Sequence, residues 1–283
     1  MPDHHHHKAH DHPDDASLAE LLDLEGDVFR AYWTRVMTWV RDALGGREPE
    51  LIVDLGAGTG TGTVALARQF ESAEIVALDA SEQMLQRTQA RALKLGVDDR
   101  VRTVHSDLDG GWPNLAGVDL TWASMSLHHV ADPGRVLRDI RTATRPGGLV
   151  AVAELGEAER FLPDDLGFGR PCLEARCLAA MSHETAEALP ALGSQWSPRI
   201  EAAGFTLVSE QTFALEVSVP YPPSARHLAQ LWLQRVRSSI ADHLAQDDLD
   251  ALAILLDTDG PEAVQRRDDL QIRGTRIVTI ARR

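Results

Sequence analysis

Apolar positions at the start of the chain recur at helical spacing. From Ser17 to Leu44 they run Leu18, Leu21, Leu22, Val28, Phe29, Tyr32, Val36, Trp39, Val40 and Leu44, which predicts one amphipathic helical stretch stopped by Gly45 and Gly46. After Pro49 the pattern changes to short apolar runs: Leu51 to Leu55, Ile75 to Leu78, Val101 to Val104, Val118 to Ala123 and Leu149 to Ala153. Such runs read as strands buried on both faces of a parallel sheet. The segments between them carry helix signals. The clearest is Asp132 as N-cap, Pro133 in the first turn, the face Val136, Leu137, Ile140, and a stop at Arg145-Pro146-Gly147-Gly148. Strand alternating with helix predicts an α/β fold, a doubly wound, Rossmann-like, mostly parallel sheet with helices on both faces.

The alternation breaks after Glu154. Helical insertions are predicted at about 156–195 and 221–268, the second with Leu228, Leu231, Trp232, Val236 and Ile240 on one face. A helix from Pro198 to Ala203 leads into a strand over 205–219, and a last strand over 275–281 brings the sheet to seven. Residues 17–283 thus read as one domain with a ligand-binding core at 48–154. The insertions would form a lid, because ligands of such sheets bind outside the carboxyl ends of the strands.

Composition narrows the function classes. The 283 residues hold 43 acids against 28 Lys plus Arg, a formal charge of −15, which argues against a nucleic-acid phosphate partner. Nine of those acids fall between Asp242 and Asp269, in the second insertion, and read as a solvated lid surface. No apolar run approaches the roughly 20 residues of a membrane span. Two cysteines, Cys172 and Cys177, make neither a disulfide scaffold nor a zinc set, and the amino terminus lacks the order of a secretion signal, so a cytoplasmic protein is expected. Six histidines (His4, His5, His6, His7, His10, His12) interleave with acids in residues 1–16, which read as a disordered tail without catalytic role. A metal-loading tail or a short affinity tag are the other readings of it. No metal site is predicted in the body of the chain.

The most informative segment is Ile52-Val-Asp-Leu-Gly-Ala-Gly-Thr-Gly60, a strand running straight into a glycine turn. Gly56, Gly58 and Gly60 permit a tight turn and a ligand's close approach to the backbone. Twenty-five positions after Asp54, Asp79 ends the second strand, where a carboxylate can accept both hydroxyls of a ribose. Asp107 follows the third strand, placed to accept from an exocyclic amine. Asp54 and the spacing Gly56-x-Gly58-x-Gly60 depart from the dinucleotide fingerprint Gly-x-Gly-x-x-Gly, which disfavours a nicotinamide-dependent oxidoreductase.

The order Asp54-x-Gly56-x-Gly58-x-Gly60, Asp79, Asp107, then Arg145-Pro-Gly-Gly148 resembles the class I S-adenosylmethionine-dependent methyltransferase family, well over Leu51 to Glu154 and loosely in the last strands. The resemblance implies S-adenosylmethionine as cofactor, bound by core 48–154. Asp54 would help hold the methionine ammonium, Gly56, Ala57, Gly58 and Gly60 would pack on the methionine and ribose, and Asp79 would bind the ribose hydroxyls. Ala80 and Met84 would lie beside the adenine, Asp107 would take its amine, Leu108 would lie against the ring, and Ser124 would offer backbone contacts.

A sulfonium methyl is electrophilic, so the protein mainly has to align a nucleophile and exclude water. A phenol, alcohol or ammonium acceptor also needs a base within reach. His128 and His129, after the fourth strand, are the candidate bases, with packing as their other reading. Glu154 is an alternative base or ammonium holder, and Tyr32 and Trp33 could stack on an acceptor. The expected activity is methyl transfer to an O or N nucleophile of a small organic molecule by a monomer or homodimer. Peptide or protein side-chain methylation and non-catalytic cofactor binding are the alternatives.

Overall fold

The computed structural model describes residues 13–217 and 219–283. The predicted His-rich tail lies, through residue 12, outside the described residues. Its expected end at 16 does not match, since α1 (Pro13–Val28) already begins at Pro13, followed by α2 (Arg30–Ala43). The single stretch expected from 17 to 44 is therefore two helices. The bonds Phe29 N to Glu25 O (2.9 Å) and Trp33 N to Phe29 O (3.2 Å) carry helical pairing through the junction, so the break is a kink. It lets α1 pack on a late helix while α2 packs on its successor helix and on the last two strands of the sheet.

Five strands and three helices follow: β1 (Leu51–Leu55), α3 (Thr61–Gln69), β2 (Glu74–Asp79), α4 (Glu82–Lys94), β3 (Val101–His105), β4 (Val118–Ser124), α5 (Pro133–Ala143) and β5 (Thr144–Leu155). Then come α6 (Leu173–Ala188), α7 (Trp196–Ala202), β6 (Thr206–Ala214), α8 (Pro223–Ile240), α9 (Gln246–Leu256) and β7 (Thr275–Arg282). The sheet order is β3-β2-β1-β4-β5-β7-β6, parallel through β5, with β7 antiparallel to both its neighbours.

Side-chain alternation assigns the two faces. Ile52, Trp122, Leu149 and Ala151 join the core under α2, α3 and α8, whereas Leu55, Ala123, Val150 and Val152 join the core under α5 and α7. Asp54 shares the parity of Ile52, which places it on the α3 side. Asp132 caps α5 through Arg135 N (2.9 Å), as the Asp-Pro signal predicts.

Three expectations are corrected. β3 is an edge strand with no fully buried residue, because β2 is its only neighbour. β6 ends at Ala214 rather than 219, where β7 no longer offers it a partner strand. Of the first insertion only α6 is helical; residues 156–172 are an irregular connection. None of the helices among the described residues is long and apolar enough to cross a membrane.

Candidate active site

A cleft opens at the carboxyl ends of β1, β2 and β4, under α1 and α2, and has two lobes that share Leu22, Gly56, Gly58 and Met125. With their open mouths the lobes hold about 1220 and 760 Å³. The turn after β1 makes the shared wall. Gly56 has φ +70°, and a Cβ there would come within 2.4 Å of Ser126 Cβ, so no other residue fits. Its N–H and that of Ala57 both donate to Leu78 O (2.9 Å), fastening the turn to β2. Gly60 does not line the cleft; it starts α3 at φ +85°, packed on Thr88.

The larger, acidic lobe is lined by Asp79, Ala80, Met84, Asp107, Leu108 and His129. Asp79 Oδ2 accepts from Gly58 N and Oδ1 from Ser81 N, both at 2.8 Å. These bonds orient the carboxylate, and each oxygen keeps a second acceptor site. Asp107 Oδ1 accepts from Asp109 N (2.9 Å). Burial, and then the neighbouring His128, lower the His129 pKa, so this ring is neutral at pH 7.

The smaller, aromatic lobe runs from Asp54, Ala57 and Ser124 to Phe29, Tyr32, Trp33 and Trp122. Asp54 is buried and accepts from Thr63 Oγ1 (2.6 Å); burial raises its carboxyl to about 7 against the pull of that bond. In the β1–β4 register Asp54 sits opposite Trp122, whose Nε1 is buried without a partner among the described residues. Thr59 Oγ1 and Tyr32 OH are likewise buried and unpartnered there. Three orphaned polar atoms in one cleft are costly unless a ligand answers them. Met125 takes φ +51°, a strained conformation for a side-chain-bearing residue, where the two lobes meet.

At the far end of the aromatic lobe Glu25 and Arg276 face the cavity, and the Arg276 guanidinium is engaged by Glu159. Burial, and then Glu159, raise the Glu25 carboxyl to about 8. Burial also raises the Tyr32 hydroxyl, which stays protonated.

The structure brings Tyr32, Trp33, Asp54, the glycine turn, Asp79, Met84, Asp107, Leu108 and Ser124 to one cleft. It separates His128 and Glu154 from it, which corrects the expectation that they act on an acceptor. His128 Nδ1 lies 2.6 Å from Glu154 Oε2, both residues are buried, and Glu154 Oε1 accepts from Leu127 N (3.1 Å). The pair satisfies itself. His129 lines the acidic lobe, away from the aromatic walls. Sequence reasoning missed Glu25, Trp122 and Arg276. An arginine in an apolar closing strand, and an acid between Leu22 and Phe29 on a helix, were the available signals for two of them. Trp122 depends on strand register, which no local pattern gives. Among the described residues no group of acids, histidines and cysteines is arranged to hold a metal.

Comparison with known proteins agrees with this geometry. Residues 53–150 match a family model described as a methyltransferase domain. The chain is 31% identical over 152 residues to 27-O-demethylrifamycin SV methyltransferase of Amycolatopsis mediterranei, covering 49% of this chain and 55% of that protein. It is 32% identical over 120 residues to malonyl-[acyl-carrier protein] O-methyltransferase of Xylella fastidiosa, covering 41% and 38%. The matches thus span about half or less of those relatives. A crystal structure of a putative methyltransferase from Bacillus halodurans shares the fold, with TM-score 0.55 and 16% identity over 87% of this chain and 97% of that one. Residues 53–150 are thus similar to a methyltransferase domain, in the stretch where the glycine turn and the ordered acids resemble the class I S-adenosylmethionine-dependent family.

Proposed function

We propose that the protein transfers the methyl group of S-adenosylmethionine to an oxygen or nitrogen nucleophile of a small organic molecule held in the aromatic lobe. The observation that carries this reading is the joining of two unlike lobes at the glycine turn, one presenting carboxylates and the other aromatic walls. The residues present fit the cofactor. Asp79 and Asp107 suit vicinal hydroxyls and an exocyclic amine, Met84 and Leu108 suit a flat base, and Asp54 suits an ammonium group. The unpartnered Trp122 Nε1 and Thr59 Oγ1 suit acceptor oxygens.

When bound, the cofactor supplies an electrophilic methyl group. The chain's part is to bind, orient and exclude water. Phe29, Tyr32 and Trp33, brought over the turn by α1 and α2, close the aromatic lobe against solvent. Asp54, kept near its protonation midpoint by burial, gains its charge when a cation arrives beside it. Calorimetric titration with S-adenosylmethionine and S-adenosylhomocysteine tests the reading: micromolar binding is expected, and none in that range overturns it. The likeness to an enzyme named for a carrier-protein substrate makes a carrier-tethered acceptor the second reading. Methyl transfer to an acyl carrier protein in preference to free small molecules would favour it.

A further inference from the structure

The far end of the aromatic lobe holds a cluster that the cofactor reading leaves unused. Glu25 from α1, Tyr32 from α2 and Arg276 from β7 meet there beside Phe29 and Trp33. Arg276 and Glu159 pair, so their charges offset. The Tyr32 hydroxyl is buried without a partner, and the Glu25 carboxyl makes no hydrogen bond or ion pair among the described residues while it lines the cavity. A donor and a carboxyl left open toward an otherwise aromatic space are arranged to hold a hydroxyl on a flat apolar body.

Resting on the methyltransferase reading, we propose that Glu25 is the catalytic base for a phenolic acceptor, whose ring packs among Phe29, Tyr32 and Trp33 and whose hydroxyl meets the Glu25 carboxylate. Phenols ionise near 10 in water, and a base serves best when its own pKa approaches the working pH. The groups facing Glu25 set that value. Burial and Glu159, in the connection after β5, raise it to about 8, while Arg276 on β7 and Arg235 on α8 pull it down; Tyr32 on α2 stays neutral. A carboxyl at the ordinary 4.5 would be a much weaker proton acceptor. In the step, the phenol proton passes to Glu25 as the phenol oxygen bonds to the methyl carbon. The carbon–sulfur bond breaks with its electron pair going to sulfur, which becomes a neutral thioether, and Glu25 then releases the proton to water.

The experiment uses 2-naphthol as probe and the full chain, wild type, E25Q and Y32F. Calorimetry first measures S-adenosylhomocysteine affinity, then 2-naphthol binding to the protein saturated with it; methyl ether formation from S-adenosylmethionine is followed from pH 6 to 9. Expected are saturable 2-naphthol binding and a wild-type rate that rises with its midpoint near pH 8. E25Q should lose at least a hundredfold in rate and the pH rise, with S-adenosylhomocysteine affinity unchanged. Y32F should bind 2-naphthol several-fold more weakly and keep the pH rise. Three results would overturn the proposal: no 2-naphthol binding to the loaded wild type, wild-type turnover in E25Q, or a tenfold loss of S-adenosylhomocysteine affinity in E25Q, which would move Glu25 into the cofactor site. Failure of the wild type to bind S-adenosylhomocysteine would instead sink the methyltransferase reading beneath it.

Discussion

The acidic lobe draws its walls chiefly from consecutive turns at the carboxyl ends of β1 to β4, between Leu55 and Val130, whereas the aromatic lobe gathers Glu25, Tyr32, Trp122, Leu215 and Arg276 from along the whole chain. In the first, Asp79 ends β2 and Asp107 lies two residues past β3, so the parallel sheet delivers both carboxylates automatically. In the second, the kink at Phe29 and the antiparallel return of β7 must both form before the groups meet. The contrast implies that the acidic lobe is fixed by local geometry and that the aromatic lobe depends on how outer elements pack. Substitutions should divide along the same line.

The largest effect is expected where neither lobe is touched. His128→Ala leaves the buried Glu154 carboxylate with one backbone partner, and breaking such a pair costs about 3 kcal/mol. Urea unfolding should show that loss, with S-adenosylhomocysteine affinity changed less than about threefold. A stable variant that has lost only turnover would restore His128 to the active site and erase the boundary drawn between packing and chemistry.

Next comes the acidic lobe itself. Asp79→Ala removes the acceptor of Gly58 N and Ser81 N together with the group expected to meet the ribose. Lost charge-assisted bonds of this kind amount to about 1–3 kcal/mol, or roughly ten- to a hundredfold in affinity. Calorimetry with S-adenosylhomocysteine reads it directly, and unchanged affinity would reject the assignment. The matched change in the other lobe, Y32F, should leave that affinity alone.

What could be read from the chain follows the same division. Asp54, the glycine turn, Asp79 and Asp107 were legible because a parallel βαβ unit ties position in sequence to position at the strand end. Four of the five parallel strands were legible as buried runs of Val, Ile, Leu and Ala between the helices, and β3 from the apolar ends of Val101 to Val104. Glu25 and Arg276 lie about 250 positions apart and meet only through the order β5-β7-β6 and the packing of α1. His128 looked catalytic because its place after β4 is on the ligand side; only the side-chain direction, toward Glu154, shows otherwise. The edge position of β3 was likewise hidden, since strand order is not written in any strand.

The smallest effect separates the lobes by pH. Glu25 is raised from the ordinary 4.5 to about 8, Glu174 from 4.5 to about 7 and Asp54 from 3.8 to about 7, in each case chiefly by burial. Between those limits the unfolded chain has released protons that the folded chain keeps, so stability is full at the acid end and falls as pH rises toward 8. Two groups run the other way. His129, lowered by burial, opposes the fall only below about 6.5, and Asp248, lowered by its bond to Arg176, acts only below 3.8. Above pH 7 the decline therefore belongs mainly to Glu25. Urea midpoints at pH 7 and pH 9 should drop for the wild type and drop distinctly less for E25Q, whereas D54N should leave that interval nearly as steep and flatten the stretch from pH 5 to 7. Equal slopes for wild type and E25Q above pH 7 would show that the aromatic lobe does not hold a protonated carboxyl, and that lobe would then be as simple electrostatically as the sequence made it look.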